Sequence, residues 1–334
     1  MEGPQTTETF ALLPNQPPEL VWITAVRTEV VGVDAAVPMP TEFMCHLTMD
    51  INPPQHKALF EWKKDPASRI FILSQGTTWL ELPQGFGVPV LSNEGFNINT
   101  QVLNHNIEHP NYRVRQKVTV EFIRDSDLKQ PLKPLFAAST PGMKLLEGKD
   151  GYWNIENPDK SKHGLGCSVG EHAANSVPWL ITPDKYGRKF TSHWAVKPGR
   201  EENHYNITWW LHLPFDTKLH AAQIHLHPFG ESLEVRDITA NKSVFKAYAR
   251  NATDRININS ADLFLSEEGV PMYKDHEYEL ISIYNNTTST DKDAMATVMF
   301  YLEDNEFKKP VLSSTASHPM NPKEIPIKRV KWGE

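Results

Sequence analysis

The sequence predicts an all-β protein organised as two sandwich-like halves. Three observations carry this. Short β-branched and aromatic runs recur along the chain, turns containing Gly, Pro and Asn separate them, and amphipathic helical periodicity is almost absent. A length of 334 residues suits two ordinary domains or one large one. The 39% hydrophobic and 22% charged fractions are those of a soluble globular chain, and no apolar run is long enough to cross a bilayer. The net charge of -7 is scattered, with no basic stripe, which argues against a nucleic-acid partner.

Residues 1–18 are Pro-rich and polar and read as a tail. Leu20–Val33 is β-branched and partly alternating, the pattern of a strand. Glu42–Ile51, Arg69–Ser74, Thr77–Leu82, Phe96–Asn106 and Tyr112–Ile123 follow as further strands. Gln75-Gly76, Pro83-Gln84-Gly85 and Asn93-Glu94-Gly95 are the turns between them. Residues 19–132 are thus expected to form the first sandwich. The pattern breaks across Asp125–Pro134, so 133–192 is expected to be an irregular insertion or cap. Strands resume at Asn203–Leu213, His220–His227, Leu233–Asp237, Val244–Arg250, His276–Tyr284 and Ala294–Leu302, giving a second sandwich over 193–304. Residues 305–334 hold four prolines and read as an extended tail wrapping the surface.

Two cysteines, Cys45 and Cys167, are too few for a disulfide scaffold, though one bridge between them remains open. The polar, acidic N-terminus is not a signal peptide. Either the protein is cytosolic or the chain starts after a removed signal; the expectation carried forward is an extracytoplasmic (periplasmic or secreted) protein. The sequons at Asn206, Asn241, Asn251, Asn285 and Asn286 arise readily in a chain this rich in Asn, Ser and Thr.

The stretch with most chemistry is L-H-A-A-Q-I-H-L-H-P-F-G, from Leu219 to Gly230. In a strand, His225 and His227 share one face, with Leu226 on the other, so both imidazoles can hold one metal ion. The bland alternative is two strand histidines satisfied by backbone carbonyls. Met295, Thr297 and Met299 share a face of a later strand, and two imidazoles with a Met295 thioether make a copper-type ligand set. Core filling is the competing role for methionine. In the first half the candidates are Cys45, His46 and His105, with His109 nearby. Adjacent residues of a regular strand point to opposite faces, so Cys45 and His46 reach one ion only at a bulge or strand end. His163, Cys167 and His172 cluster in the irregular segment without a recognisable zinc spacing.

Three stretches resemble the copper type II, ascorbate-dependent monooxygenases. They are C-H-L-T-M-D-I with R-I-F-I-L-S-Q-G-T-T-W-L-E-L-P-Q-G-F-G-V-P-V, then T-Q-V-L-N-H-N, then V-K-P-G-R-E through I-H-L-H-P-F-G to D-A-M-A-T-V-M-F-Y. The resemblance runs from about Glu42 to Leu302. It implies two tandem jelly-roll-like sandwiches facing each other across a metal cleft. His225, His227 and Met295 would be the catalytic, oxygen-activating copper ligands. His46 and His105 would belong to an electron-transfer copper, with ascorbate or another reductant supplying electrons and O2 as co-substrate. This chain departs from the family in several places. Cys45 stands where the family has the first histidine of a pair, and Gln223, Thr297 and Met299 stand where it has the Arg, Asn and Tyr that hold a peptide carboxylate. Without a guanidinium a carboxylate is held poorly, so a small-molecule or short-chain substrate other than a glycine-extended peptide is expected, facing Gln223, Thr297 and Met299. The rival expectations are a non-catalytic or single-copper binding protein on the same scaffold, and an interaction or carbohydrate-binding module with structural histidines.

Overall fold

The computed structural model describes residues 2–33, 37–60, 67–107, 113–150, 153–156, 181–310 and 312. His109, His163, Cys167 and His172 lie outside them. In chain order the first half comprises β1 (Glu2–Phe10), β2 (Leu20–Gly32), β3 (Met44–Ile51), helix α1 (Pro53–Phe60), β4 (Arg69–Ser74), β5 (Trp79–Glu81), β6 (Phe86–Leu91), β7 (Phe96–Leu103), β8 (Val114–Arg124) and β9 (Lys133–Pro141). Short strands β10 (Lys144–Leu145), β11 (Ile181–Pro183), β12 (Lys189–Thr191) and β13 (Trp194–Val196) lead onward. The second half adds β14 (Gly199–Asn206), helix α2 (Thr208–Leu211), β15 (Thr217–Leu226), β16 (Gly230–Asp237), β17 (Lys242–Asn251), β18 (Ile258–Ala261), β19 (Leu263–Met272), β20 (Tyr278–Asn286), β21 (Lys292–Ala294) and β22 (Ala296–Glu303). The fold is all-β, as the alternation and turn chemistry predict, and no described helix is long and apolar enough to cross a membrane.

Three main sheets build it. A four-stranded sheet runs β1-β7-β3-β4, and a five-stranded sheet runs β14-β20-β16-β17-β18. Between them an eight-stranded sheet runs β19-β15-β22-β9-β6-β2-β5, with β8 also on β2. This sheet belongs to both halves. Strands β14, β15 and β16 alternate between the five- and eight-stranded sheets, the crossing habit of a jelly-roll-like sandwich.

The two-residue period of a strand sends neighbouring side chains into different cores. On β22, Phe300 packs 6.3 Å from Phe245 of β17, while Tyr301 packs 5.5 Å from Phe71 of β4. On β15, Ala222, Ile224 and Leu226 join the core under the five-stranded sheet, and Ala221 joins the core under the four-stranded one. The β15–β22–β9 region is therefore a middle layer, buried on both faces. Such strands read as apolar runs rather than clean alternation, which is why A-T-V-M-F-Y-L is hydrophobic throughout.

Three expectations change here. The strand expected over Asn203–Leu213 ends at Asn206 and gives way to the helix Thr208–Leu211. Residues 1–18 are not simply a tail, because β1 pairs antiparallel with β7 along Thr6↔Thr100 to Phe10↔Phe96. The polar T-T-E-T run suits an edge strand, where side-chain bonds such as Thr7 to Asn99 at 2.6 Å take the place of apolar contacts. Nor is 133–192 irregular from its start. β9 pairs antiparallel with β22 and parallel with β6, joining the two halves of the large sheet. Pro134 and Pro141 at its ends disguise it as a linker. The extended tail is met at its beginning: Phe307 meets Trp22 edge-on at 5.6 Å, and Lys309 pairs with Asp125 at 2.8 Å.

Candidate metal centre

By its alternation, β15 places His225 on the face turned toward the four-stranded sheet, opposite Ile224 and Leu226. β15 ends at Leu226, and His227 follows at once. Its backbone N–H donates to the Tyr284 hydroxyl at 3.1 Å, and that hydroxyl donates to the carbonyl of Met295. Tyr284 is fully buried, and burial holds its hydroxyl far above its ordinary value, so it stays protonated and able to donate. One phenol thus fixes the end of β15 against the break between β21 and β22.

From the other side comes β3. Its register on β7 steps from Met44↔Val102 to His46↔Gln101, so Cys45 is the extra residue of a β-bulge. The bulge brings the two adjacent side chains together, with Cys45 Sγ 3.3 Å from His46 Nδ1. The condition that the sequence set for Cys45 and His46 to act jointly is met. His46 then faces His225 edge-on, ring centroids 6.1 Å apart, and His225 faces His227 at 5.4 Å.

Cys45, His105, His225, His227 and Asp293 line one cavity of about 10 Å³, with Gln75, Leu103, Leu226 and Pro228 completing the wall. That is room for about one water or one ion. Candidates from both halves, Cys45 and His105 with His225 and His227, thus line one cavity where the halves meet, while His46 is not in its lining. Burial drives His225 well below its ordinary value, with His227 and His46 adding in the same direction, so it is neutral and ready to ligate. Its Nδ1 is buried and makes no hydrogen bond. An imidazole nitrogen in that position is costly unless something binds it. Burial also lowers His105, against the opposing pull of Asp293.

His227 is the exception. Burial opposes its charge, yet Asp293, at 2.7 Å from Nδ1, outweighs burial and raises it. Burial would likewise raise Asp293, but His227 and His193 outweigh that and hold it well below the carboxylate range. Neither His193 nor Asp293 stood out in the sequence. Asp293 had a readable signal, since it lies two residues before Met295. His193 had none, because its neighbours Thr191 and Trp194 mark only a short strand end.

The remaining candidates lie apart from the cavity. Met295 is half-buried and outside the cavity lining. Thr297 is half-buried opposite His225 in the β15–β22 register. Gln223 and Met299 are 0% exposed, and Met299 is packed in the core beneath the four-stranded sheet. The buried middle layer puts that face against the opposing sheet.

The seam is held beside the cavity by polar contacts between the halves. Gln75, whose Nε2 donates within the first half to the Glu42 carbonyl at 3.1 Å, accepts across the seam at Oε1 from the Ile258 N–H at 3.2 Å. Asn106, next to His105, both donates to and accepts from the backbone of Ile256, at 3.2 and 2.9 Å. Arg255 reaches Glu42 at 3.3 Å.

No protein-family model matches the chain, and no curated protein matches it in sequence. Superposition on solved structures finds the major capsid protein P2 of bacteriophage PM2, at 8% identity and TM-score 0.32, covering 91% of this chain and 100% of that one. It also finds a peptide-N(4)-(N-acetyl-β-D-glucosaminyl) asparagine amidase, at 10% identity and TM-score 0.34, covering 92% of each chain. The STIV major capsid protein matches at 7% identity and TM-score 0.26, covering 90% of this chain and 97% of that one. Scores and identities this low carry no argument about function.

Proposed function

We propose that the protein binds one copper ion in the seam, through Cys45, His225 and His227 with His105 beside them. The observation that carries this reading is the shared cavity of about 10 Å³, into which both halves deliver donors and beside which His225 Nδ1 is buried without a partner. Thiolate and imidazole together suit copper in either oxidation state. The chemistry that such an ion supplies is one-electron transfer. The chain's own contribution is to hold the donors rigidly, through the Cys45 bulge and the Tyr284 bridge, and to exclude bulk water. A closed set of protein ligands suits metal retention and electron transfer better than substrate turnover.

The second reading is a copper monooxygenase acting on a C–H bond with O2 and a reductant such as ascorbate. The segments resembling that family favour it, as does the position of the centre between two sandwiches. On either reading a glycine-extended peptide is disfavoured, because Gln223, standing in the place of the expected Arg, is wholly buried.

Anaerobic loading with Cu(I), desalting and elemental analysis test the choice. One copper per chain, lost in His225→Ala and weakened in Cys45→Ser, is the expected result. Two coppers per chain with reductant-dependent O2 uptake would support the oxygenase instead. No copper in wild type rejects both.

A further inference from the structure

A second group of donors adjoins the cavity. His193, His227 and Asp293 each offer one ligand atom within 4.8 Å of the others. We propose that these three residues form a zinc-type subsite that shares His227 and Asp293 with the cavity lining and adds His193 from beyond it. His227 is also a ligand in the copper reading, but the zinc subsite does not rest on that reading.

Two imidazole nitrogens and one carboxylate oxygen are a common zinc set. With metal–ligand bonds of about 2.0–2.2 Å, donors around one tetrahedral ion stand roughly 3.4 Å apart. Asp293 Oδ2 lies 2.7 Å from His227 Nδ1 and 3.6 Å from His193 Nε2, so the observed spacings bracket that value. A carboxylate needed only to orient His227 has no use for a second imidazole beside the same oxygen.

The subsite is also built from fixed parts. The His193 N–H donates to Thr191 Oγ1, and that hydroxyl donates back to the His193 carbonyl, each at 3.2 Å. Its ring meets Trp153 and His227 edge-on, both at 5.7 Å. The His193 and His227 side chains are 1% and 4% exposed, while that of Asp293 is 23% exposed, so the carboxylate is the member of the group that meets solvent. Zinc binding displaces the proton held between His227 Nδ1 and Asp293 Oδ2 to solvent.

The test removes the copper centre first. Metal-free His225→Ala protein is titrated with Zn(II) and compared with His193→Ala/His225→Ala and with Asp293→Asn/His225→Ala. Near-UV circular dichroism checks each fold, and the near-isosteric Asp293→Asn change keeps the comparison usable if the His193 variant misfolds. The expected result is one zinc per chain in His225→Ala, bound at least 100-fold more weakly when either partner is changed. Equal zinc affinity in all three proteins overturns the subsite. Zinc retained by His225→Ala in a protein whose wild type binds no copper would leave the subsite standing while the copper reading fails.

Discussion

Tyr284 shows how much one buried polar atom organises. Its hydroxyl serves the His227 N–H and the Met295 carbonyl together, and its ring packs 5.8 Å from Trp194. Tyr284→Phe keeps the ring and leaves two buried backbone groups unserved, at a cost of about 1–3 kcal/mol. Urea denaturation should register that loss, with copper affinity falling as the end of β15 loosens. Asp304 makes the opposite case. Its Oδ1 accepts from the Glu306 N–H at 3.0 Å, but Oδ2 is buried without a partner, and burial raises the carboxyl above its ordinary value of 3.8. A raised acid binds its proton more tightly in the folded state, so its destabilising effect is present at neutral pH and relieved as pH falls through the raised value. Asp304→Asn should therefore be more stable than wild type at pH 7, and the difference should shrink as pH approaches 3.8. A difference that grows on acidification would refute this account of Asp304.

At the scale of the elements, the turn between β4 and β5 sets the distance between the halves. Gly76 there has φ +82°, a conformation that favours glycine, and a Cβ on it would stand 2.6 Å from Ile258 Cγ2 and 3.1 Å from the Ala261 nitrogen. Its carbonyl accepts from the Ala261 N–H at 2.9 Å. Gly76→Ala removes no metal ligand yet should widen the seam. Copper affinity is expected to drop at least tenfold with secondary structure intact by circular dichroism; unchanged affinity would mean that the turn does not position the centre. The sequence announced this turn, and it announced β15, because glycine chemistry and the H-x-H alternation are local signals. It also stated the condition for Cys45 and His46 to cooperate, although the bulge that meets it depends on β7, across the sheet. β9 was illegible for a different reason. Its L-F-A-A-S-T core is short and bracketed by prolines, and its role as the joining strand comes from partners far away in sequence. The same holds for His193, which reaches the site through packing on Trp153 and His227 rather than through any motif.

At the scale of the molecule, the eight-stranded sheet decides what kind of site is possible. Two sandwiches joined only by a linker can face each other across an open cleft. Here β6, β9 and β22 pair continuously, and the middle layer contributes side chains to both cores. Donors from β3 and from the end of β7 are thereby pressed against those of β15, and the space between them shrinks to a cavity of about 10 Å³. This is why Cys45 and His105 of the first half line the same cavity as His225 and His227 of the second. The most direct measurement is copper-edge X-ray absorption on protein loaded with one equivalent of Cu(I), compared with Cys45→Ser. The account predicts a first shell of one sulfur and imidazole nitrogens in wild type, with the sulfur lost and the imidazoles kept in the variant. A sulfur signal that survives in Cys45→Ser would assign the thioether of Met295 instead, and would contradict a centre built from both halves of the chain.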